Sequence, residues 1–159
     1  MNINKIIIGI DDSKYAEHAA EYGFDLARTI KAEVGLVNIV EPLTTMTPGG
    51  TDILTGIPGE ASVTSDMDML NIQTQITENI IERIINNFGE GLTVTKFSEY
   101  GSTAEGIIKC ANEFGAGLIV IGTHSRSGFD RLLMGSVAEH VVRHSQIPVL
   151  VVPFKEEGK

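Results

Sequence analysis

The residues best suited to chemistry form one loop, from Gly122 to Ser136, which follows an apolar run and reads GTHSRSGFDRLLMGS. Glycine lets a backbone approach a ligand closely, and a helix N-terminus presents unpaired N–H groups with partial positive charge. Phosphate suits such a loop, and Arg126 and Arg131 within it can neutralise phosphate charge. The alternative for both arginines is plain solvation in an exposed loop.

A second group follows the first apolar run, in Gly9-Ile10-Asp11-Asp12-Ser13. Ligands of an open parallel sheet bind beyond the carboxyl ends of the strands, where the strand order reverses. If the strand before Gly122 lies beside the first strand, Asp11 faces the loop and can accept hydrogen bonds from a ribose or an adenine edge. The alternative is that Asp11, Asp12 or Ser13 only caps the first helix.

Helix capping also competes for Ser136, which precedes Glu139 by three residues, the spacing of a capping box. Ser65 and Ser102 stand in the same relation to Asp68 and Glu105. A capping hydroxyl satisfies one of about four free N–H groups, so the others remain available to a phosphate. Ser136 can therefore serve both roles.

Other phosphate and catalytic motifs are absent. The sequence has no Gly-x-x-x-x-Gly-Lys-Ser/Thr and no Gly-x-Gly-x-x-Gly after the first strand, which argues against a P-loop motor and a dinucleotide oxidoreductase. His140 and His144 have a zinc-compatible spacing, but no glutamate follows the first and no third ligand is evident. His124 has no positioned partner. No catalytic residue and no metal ligand are therefore predicted.

The elements that must position these residues alternate along the chain. Apolar runs at 3–10, 34–40, 92–98, 118–122 and 148–152 are separated by segments of helical period, including helices predicted at 14–31 and 66–88. This pattern is typical of a parallel sheet with helices on both faces. Residues 41–64 are rich in proline, glycine and threonine and are predicted to form a long surface loop, which is a lid, a binding loop or an insertion without a role.

Length and composition limit the number of domains, the partners and the cellular compartment that can be expected. A chain of 159 residues with 42% hydrophobic residues is expected to form one domain over 1–159. A net charge of −9 disfavours nucleic acid and anionic membranes as partners. Cys110 is the single cysteine, so no intramolecular disulfide forms, and it reads as a small apolar helix residue. No run is long enough for a signal peptide or a membrane span, so a cytoplasmic protein is expected.

The chain from Lys5 to Pro153 resembles the universal stress protein family. ATP-binding members carry Gly, two residues, Gly, nine residues, Gly and then Ser or Thr; this register falls on Gly122, Ser125, Gly135 and Ser136, with Ser125 replacing one glycine. The first strand's end at Asp11 is also similar. The resemblance implies an open five-stranded, Rossmann-like α/β sheet with strand order 3-2-1-4-5.

The resemblance also implies a function, an ATP-binding regulatory protein of the stress response with no more than weak ATP hydrolysis. Asp11 and the main chain of Val40 would hold the adenosine, and the phosphates would be lined by Gly122, Ser125, Gly135, Ser136 and Val137. Mg²⁺ or Mn²⁺ would bind through the phosphates, and the last strand, from Pro148 to Val152, would pair in a homodimer. The alternatives are a slow ATP hydrolase and a dimeric interaction module without nucleotide, which the Ser125 replacement favours.

Overall fold

The computed structural model describes residues 3–41, 66–123 and 134–154. Within these ranges strands and helices alternate, as β1 (Lys5–Gly9), α1 (Lys14–Ile30), β2 (Glu33–Val40), α2 (Asp66–Phe88), β3 (Val94–Tyr100), α3 (Thr103–Phe114), β4 (Leu118–Gly122), α4 (Ser136–His144) and β5 (Val149–Val152). The predicted helices at 14–31 and 66–88 are confirmed. None of the helices in the described ranges is long and apolar enough to cross a membrane.

The five strands form one parallel sheet in the order β3-β2-β1-β4-β5. This confirms the predicted α/β fold and its strand order. After β1 the chain builds the sheet outward through β2 and β3, then returns to place β4 on the other side of β1. The order therefore reverses between β1 and β4, and the carboxyl ends of these two strands flank the crevice where such sheets bind ligands.

Successive side chains of a strand point to opposite faces of the sheet, so an apolar strand makes both faces apolar. Helices cover both faces and bury these side chains. Ile6 and Ile8 of β1 belong to one buried cluster, which also contains Phe24 of α1 and Ile84 of α2. Ile7 belongs to the opposite cluster, with residues of α3 and α4 such as Cys110 and Val141. Cys110 is thus the small apolar helix residue that was predicted.

The strands that differ most from the prediction are β3 and β1. β3 begins at Val94 rather than Leu92, because Leu92 N–H bonds to the Gly89 carbonyl oxygen (3.1 Å) in a turn that also includes Gly91 at a φ of +76°. It extends to Tyr100, since residues through Tyr100 pair with β2 although several are polar. β1 is shorter than the predicted 3–10, with Lys5 and Gly9 as its ends.

The helix starts differ in how they are capped. Ser13 is the N-cap of α1, and its Oγ accepts a hydrogen bond from Ala16 N–H (3.2 Å). Ser102 holds the N-cap position of α3, but its side chain makes no capping bond. The N-cap role predicted for Ser136 is wrong: Gly135 is the N-cap of α4, because its carbonyl already accepts the first helical bond, from Glu139 N–H (3.0 Å). Ser65 lies outside the described residues.

This difference predicts a matched pair of stability effects. Ser13→Ala removes a capping bond and is expected to lower the free energy of unfolding by about 1 kcal/mol. Ser102→Ala removes a hydroxyl at the same helix position without a capping bond, so its effect should stay within about 0.5 kcal/mol. Urea denaturation of the two variants measures both values. Equal losses in the two variants would contradict the assignment.

Candidate functional site

A cavity of about 330 Å³ opens at the carboxyl ends of the central strands. It is lined by Gly9, Ile10, Asp11, Ser13, Tyr15, Ala16, Ile39, Glu41, Thr103, Ile107, Ile121, Gly122 and Val137. Three of the predicted site residues, Asp11, Gly122 and Val137, therefore line the same space although they are far apart in sequence. The cavity lies at the reversal of strand order, as the sheet topology requires.

In the turn after β1, Asp11, Asp12 and Ser13 have different roles, although the sequence left open which of them caps the first helix. Ser13 is the helix cap, and Asp11 supports it: Asp11 Oδ1 accepts a hydrogen bond from Ser13 N–H (2.8 Å). Asp12 instead pairs with Arg83 of α2, at 3.0 Å between Oδ1 and Nη2. A carboxylate has about four acceptor positions. The exposed Asp11 can therefore hold the turn and still accept hydrogen bonds from a ligand in the cavity.

Helix N-termini give the cavity an electrostatic character that favours anions. Ser13 at the start of α1, Thr103 at the start of α3 and Val137 in the first turn of α4 all line it. Each helix start carries a partial positive charge from its unpaired N–H groups. Asp11 and Glu41, which carry carboxylates, also line the cavity. The cavity therefore suits a ligand with an anionic part and with hydrogen-bond donors elsewhere.

Gly122 has a steric role in this arrangement. A Cβ at Gly122 would lie 2.6 Å from the carbonyl oxygen of Tyr15 and 3.4 Å from Ala19 Cβ. Tyr15 and Ala19 belong to the first turns of α1, so the missing side chain lets the end of β4 lie against this helix. Tyr15 in turn packs edge to face with Phe154, with ring centroids 5.4 Å apart.

The remaining predicted site residues have different positions. The Val40 carbonyl oxygen accepts a hydrogen bond from Gly101 N–H (3.0 Å), while its neighbours Ile39 and Glu41 line the cavity. Gly135 and the exposed Ser136 form the start of α4, two residues and one residue before Val137, respectively. Ser125 lies outside the described residues, as do His124, Arg126 and Arg131, and the predicted loop 41–64 is outside them beyond Glu41.

Comparison with known proteins identifies the family. The model of the universal stress protein family matches residues 2–153. The chain belongs to this family. A universal stress protein of Methanocaldococcus jannaschii is 32% identical over 154 residues, which cover 96% of this chain and 84% of that protein.

Solved structures of the family share the fold. A second protein of the same archaeon has a TM-score of 0.71 at 25% identity, covering 99% of this chain and 100% of its own. A universal stress protein from Archaeoglobus fulgidus, solved in complex with dAMP, has a TM-score of 0.58 at 22% identity, with 95% and 98% of the two chains covered. The dAMP belongs to that protein.

Among the cavity residues of this universal stress protein that were not predicted, Glu41 and Thr103 are bonded to each other. Glu41 follows β2, and Thr103 begins α3; Thr103 Oγ1 donates a hydrogen bond to Glu41 Oε1 (2.6 Å). Both occupy the carboxyl edge of the sheet, where ligand-binding residues concentrate. This tendency alone could have predicted both residues, because Glu41 directly follows β2 and Thr103 begins the helix after β3.

The histidine pair takes an arrangement unlike a metal site. The His140 and His144 rings stack at 4.1 Å between centroids, and His144 Nδ1 lies 2.8 Å from the His140 carbonyl oxygen. A carbonyl accepts only, so Nδ1 is the donor in this bond. Neither histidine belongs to a cluster of three metal-capable side chains within the described ranges.

Such a cluster is formed instead by Glu99, Cys110 and Glu113, with ligand atoms within 4.8 Å of one another. Lys109 Nζ already pairs with Glu99, at 3.0 Å, and lies 3.9 Å from Glu113. Cys110 is fully buried, and burial is the main reason why the pKa of its thiol rises to about 11, with Glu99 and Glu113 adding to the effect. The thiol is therefore neutral at ordinary pH.

The raised pKa of Cys110 predicts a pH dependence. The folded state keeps the thiol proton up to about pH 11, whereas the unfolded chain releases it nearer the ordinary value of 9.0. The unfolded state thus binds fewer protons between these values, so the free energy of unfolding should fall as the pH rises from 9 to 11. Urea titrations of wild type and Cys110→Ala at several pH values measure this, and the variant should show a smaller fall. Identical pH profiles would contradict the burial of the thiol.

Proposed function

We propose that the chain binds ATP in the cavity at the carboxyl ends of β1 and β4, and that this binding regulates its role in the stress response. The observation that carries the proposal is that Asp11, Gly122 and the start of α4 at Val137 line one cavity at the reversal of strand order. An acceptor carboxylate and a helix start in one cavity suit the ribose and the phosphates of a nucleotide.

The proposed pose follows from the cavity walls. Asp11 accepts hydrogen bonds from the ribose hydroxyls, and the base lies toward the end of β2, near the main chain of Val40 and between the apolar side chains of Ile39 and Ile107. The phosphates lie toward α4, where the predicted loop contributes Gly122, Ser125, Gly135, Ser136 and Val137. A relative from Archaeoglobus fulgidus was solved in complex with dAMP, and this supports the proposal of an adenine nucleotide as the ligand.

A divalent cation fits the same pose. Mg²⁺ binds preferentially to phosphate oxygens together with one or two carboxylates and water. In the proposed pose the phosphates supply the oxygen ligands on the side of α4, and the cation binds through them. We propose that Mg²⁺ or Mn²⁺ enters with the nucleotide rather than before it.

A regulatory role is favoured over hydrolysis. ATP hydrolysis requires an oriented water in addition to positioned phosphates. The sequence nominates no residue to orient that water, and in the proposed pose the free acceptor positions of Asp11 bind the ribose. The proposed role is therefore a switch whose bound state is read by a partner or by a second copy of the chain. Single-turnover assays should give a rate equal to that of a Gly135→Asp control.

Calorimetry of purified, nucleotide-stripped protein with ATP and Mg²⁺ tests the proposal. We expect saturable binding, and no heat of binding at millimolar ATP would refute it. Ser125→Gly is the companion variant. If the natural chain is an interaction module without nucleotide, the glycine should create ATP binding; comparable affinity in both forms supports the proposed function.

We also propose a homodimer formed through β5. This strand is at the edge of the sheet, and its residues Val149, Leu150 and Val151 are only half-buried. An apolar edge strand is a template for pairing with another strand. Mass spectrometry under non-denaturing conditions should show twice the 17.1 kDa chain mass, with bound nucleotide. A monomeric mass at micromolar concentration would contradict this assembly.

A further inference from the structure

Two polar side chains are buried between the sheet and α2. Asn38 of β2 is 6% exposed and Thr77 of α2 is 3% exposed. Asn38 Nδ2 donates a hydrogen bond to the Ile10 carbonyl oxygen (2.9 Å), and Thr77 Oγ1 donates to Asn38 Oδ1 (3.1 Å). These bonds connect three elements that are distant in sequence, namely α2, β2 and the end of β1.

The two bonds allow only one orientation of the Asn38 amide. The Ile10 carbonyl is an acceptor, so the amide NH₂ must face it. The amide oxygen then faces Thr77, and the hydroxyl must donate to it. Without the hydroxyl, Asn38 Oδ1 would be buried with no partner from α2, which is unfavourable in an apolar core.

We call the chain of two hydrogen bonds from Thr77 through Asn38 to Ile10 the relay. Ile10, the residue at its end, lines the cavity. Ile10 N–H donates to the Val37 carbonyl (2.9 Å), and its own carbonyl accepts from Asn38, so its backbone is fixed on both sides. Asp11 is the next residue and bonds to Ser13 N–H. The relay therefore ends at the peptide group between Ile10 and Asp11, and the position of this group determines where the Asp11 side chain leaves the backbone.

A second contact joins α2 to the same turn. Arg83 of α2 pairs with Asp12 at 3.0 Å, but both side chains are exposed, and exposed ion pairs contribute little. The buried relay is the stronger constraint because its bonds are shielded from water. Thr77 and Arg83 thus hold the turn after β1 from one helix.

We propose that Thr77 and Asn38 are positioning residues that orient the Asp11 turn for ligand binding. The consequence for affinity rests on the proposed function, whereas the consequence for the turn itself does not. Thr77 acts through Asn38 and Ile10, and neither Thr77 nor Asn38 is among the residues that line the cavity.

Three variants of α2 test the proposal. Thr77→Val keeps the shape of the side chain but removes the donor, and Thr77→Ser keeps the donor. Ile84→Val is the matched control, because Ile84 is fully buried on the same helix and its truncation destabilises the core without touching the relay. The readouts are calorimetric affinity for ATP with Mg²⁺, thermal stability, and NMR exchange rates of the Ile10 and Ser13 amides.

We expect Thr77→Val to weaken ATP binding about fivefold to tenfold and to speed exchange at the Ile10 and Ser13 amides. Thr77→Ser and Ile84→Val should stay within about twofold of wild type in affinity, even where Ile84→Val lowers the melting temperature as much as Thr77→Val does. Equal affinity and equal amide exchange in Thr77→Val and Ile84→Val would overturn the proposal. If wild type binds no adenine nucleotide, the proposed function fails, and the exchange rates alone decide whether the relay positions the turn.

Discussion

Gly122→Ala is expected to lower the free energy of unfolding by about 2 kcal/mol and to weaken nucleotide binding. The added Cβ would lie 2.6 Å from the Tyr15 carbonyl oxygen, which is backbone of α1 and cannot rotate away. The helix must therefore move relative to β4. Tyr15 and Ala16 line the cavity, so this movement changes the site as well as the core. Urea denaturation and calorimetry with ATP measure the two effects.

Gly117→Ala is the matched control for this variant. Gly117 immediately precedes the same strand, and a Cβ there would meet Ile3 atoms at 3.4 Å or more, which is an ordinary contact. Its effect on stability should remain within about 0.5 kcal/mol, and its ATP affinity should match wild type. Equal stability of the two variants would show that Gly122 is not required for the packing of β4 against α1.

Asp11→Ala is expected to weaken ATP binding by about tenfold to a hundredfold, since hydrogen bonds to a charged group contribute about 1.5 to 3 kcal/mol. Asp11→Asn should lose less, because the amide oxygen can still accept from Ser13 N–H and from one ribose hydroxyl. Calorimetric titration with ATP and Mg²⁺ measures both variants.

The neighbouring aspartate provides the control for charge. Asp12→Ala removes the same charge one residue later, but Asp12 pairs with Arg83 and is not among the cavity residues. Its affinity for ATP should stay within about twofold of wild type. A loss as large as that of Asp11→Ala would show that the effect comes from general charge or from the turn rather than from a ribose contact.

The fold was largely predictable because apolar runs and helical periodicity report directly on a parallel sheet covered by helices. The errors arise where that signal is weak. β3 is an edge strand whose last two residues are the charged Glu99 and the exposed Tyr100, so hydrophobicity did not show that pairing continues beyond Ser98. The start of α4 was placed one residue late because the capping-box spacing of Ser136 is equally present when Gly135 is the cap.

The candidate site was predictable in part. Asp11, Gly122 and Val137 line one cavity, since the strand order places the ends of β1 and β4 side by side. The relay from Thr77 to Asn38 was not predictable, because the two residues are 39 positions apart and each looks ordinary within its own element. The contact of Gly122 with the Tyr15 carbonyl likewise depends on the packing of a helix on a strand. The contribution of Ser125 stays a prediction.

The most direct test of the central claim is an NMR titration of the isotope-labelled protein with ATP and Mg²⁺. A second, competing space lies at the opposite end of the sheet, lined by Arg28, Lys31, Ala32, Glu33, Gly91, Leu92 and Thr93, and its two cations could attract phosphate nonspecifically. Binding in the proposed cavity predicts saturable shifts of the Ile10, Asp11, Gly122 and Val137 amides, with Lys31 and Thr93 unchanged. Shifts confined to Lys31 and Thr93, or none at millimolar ATP, would contradict the proposed site.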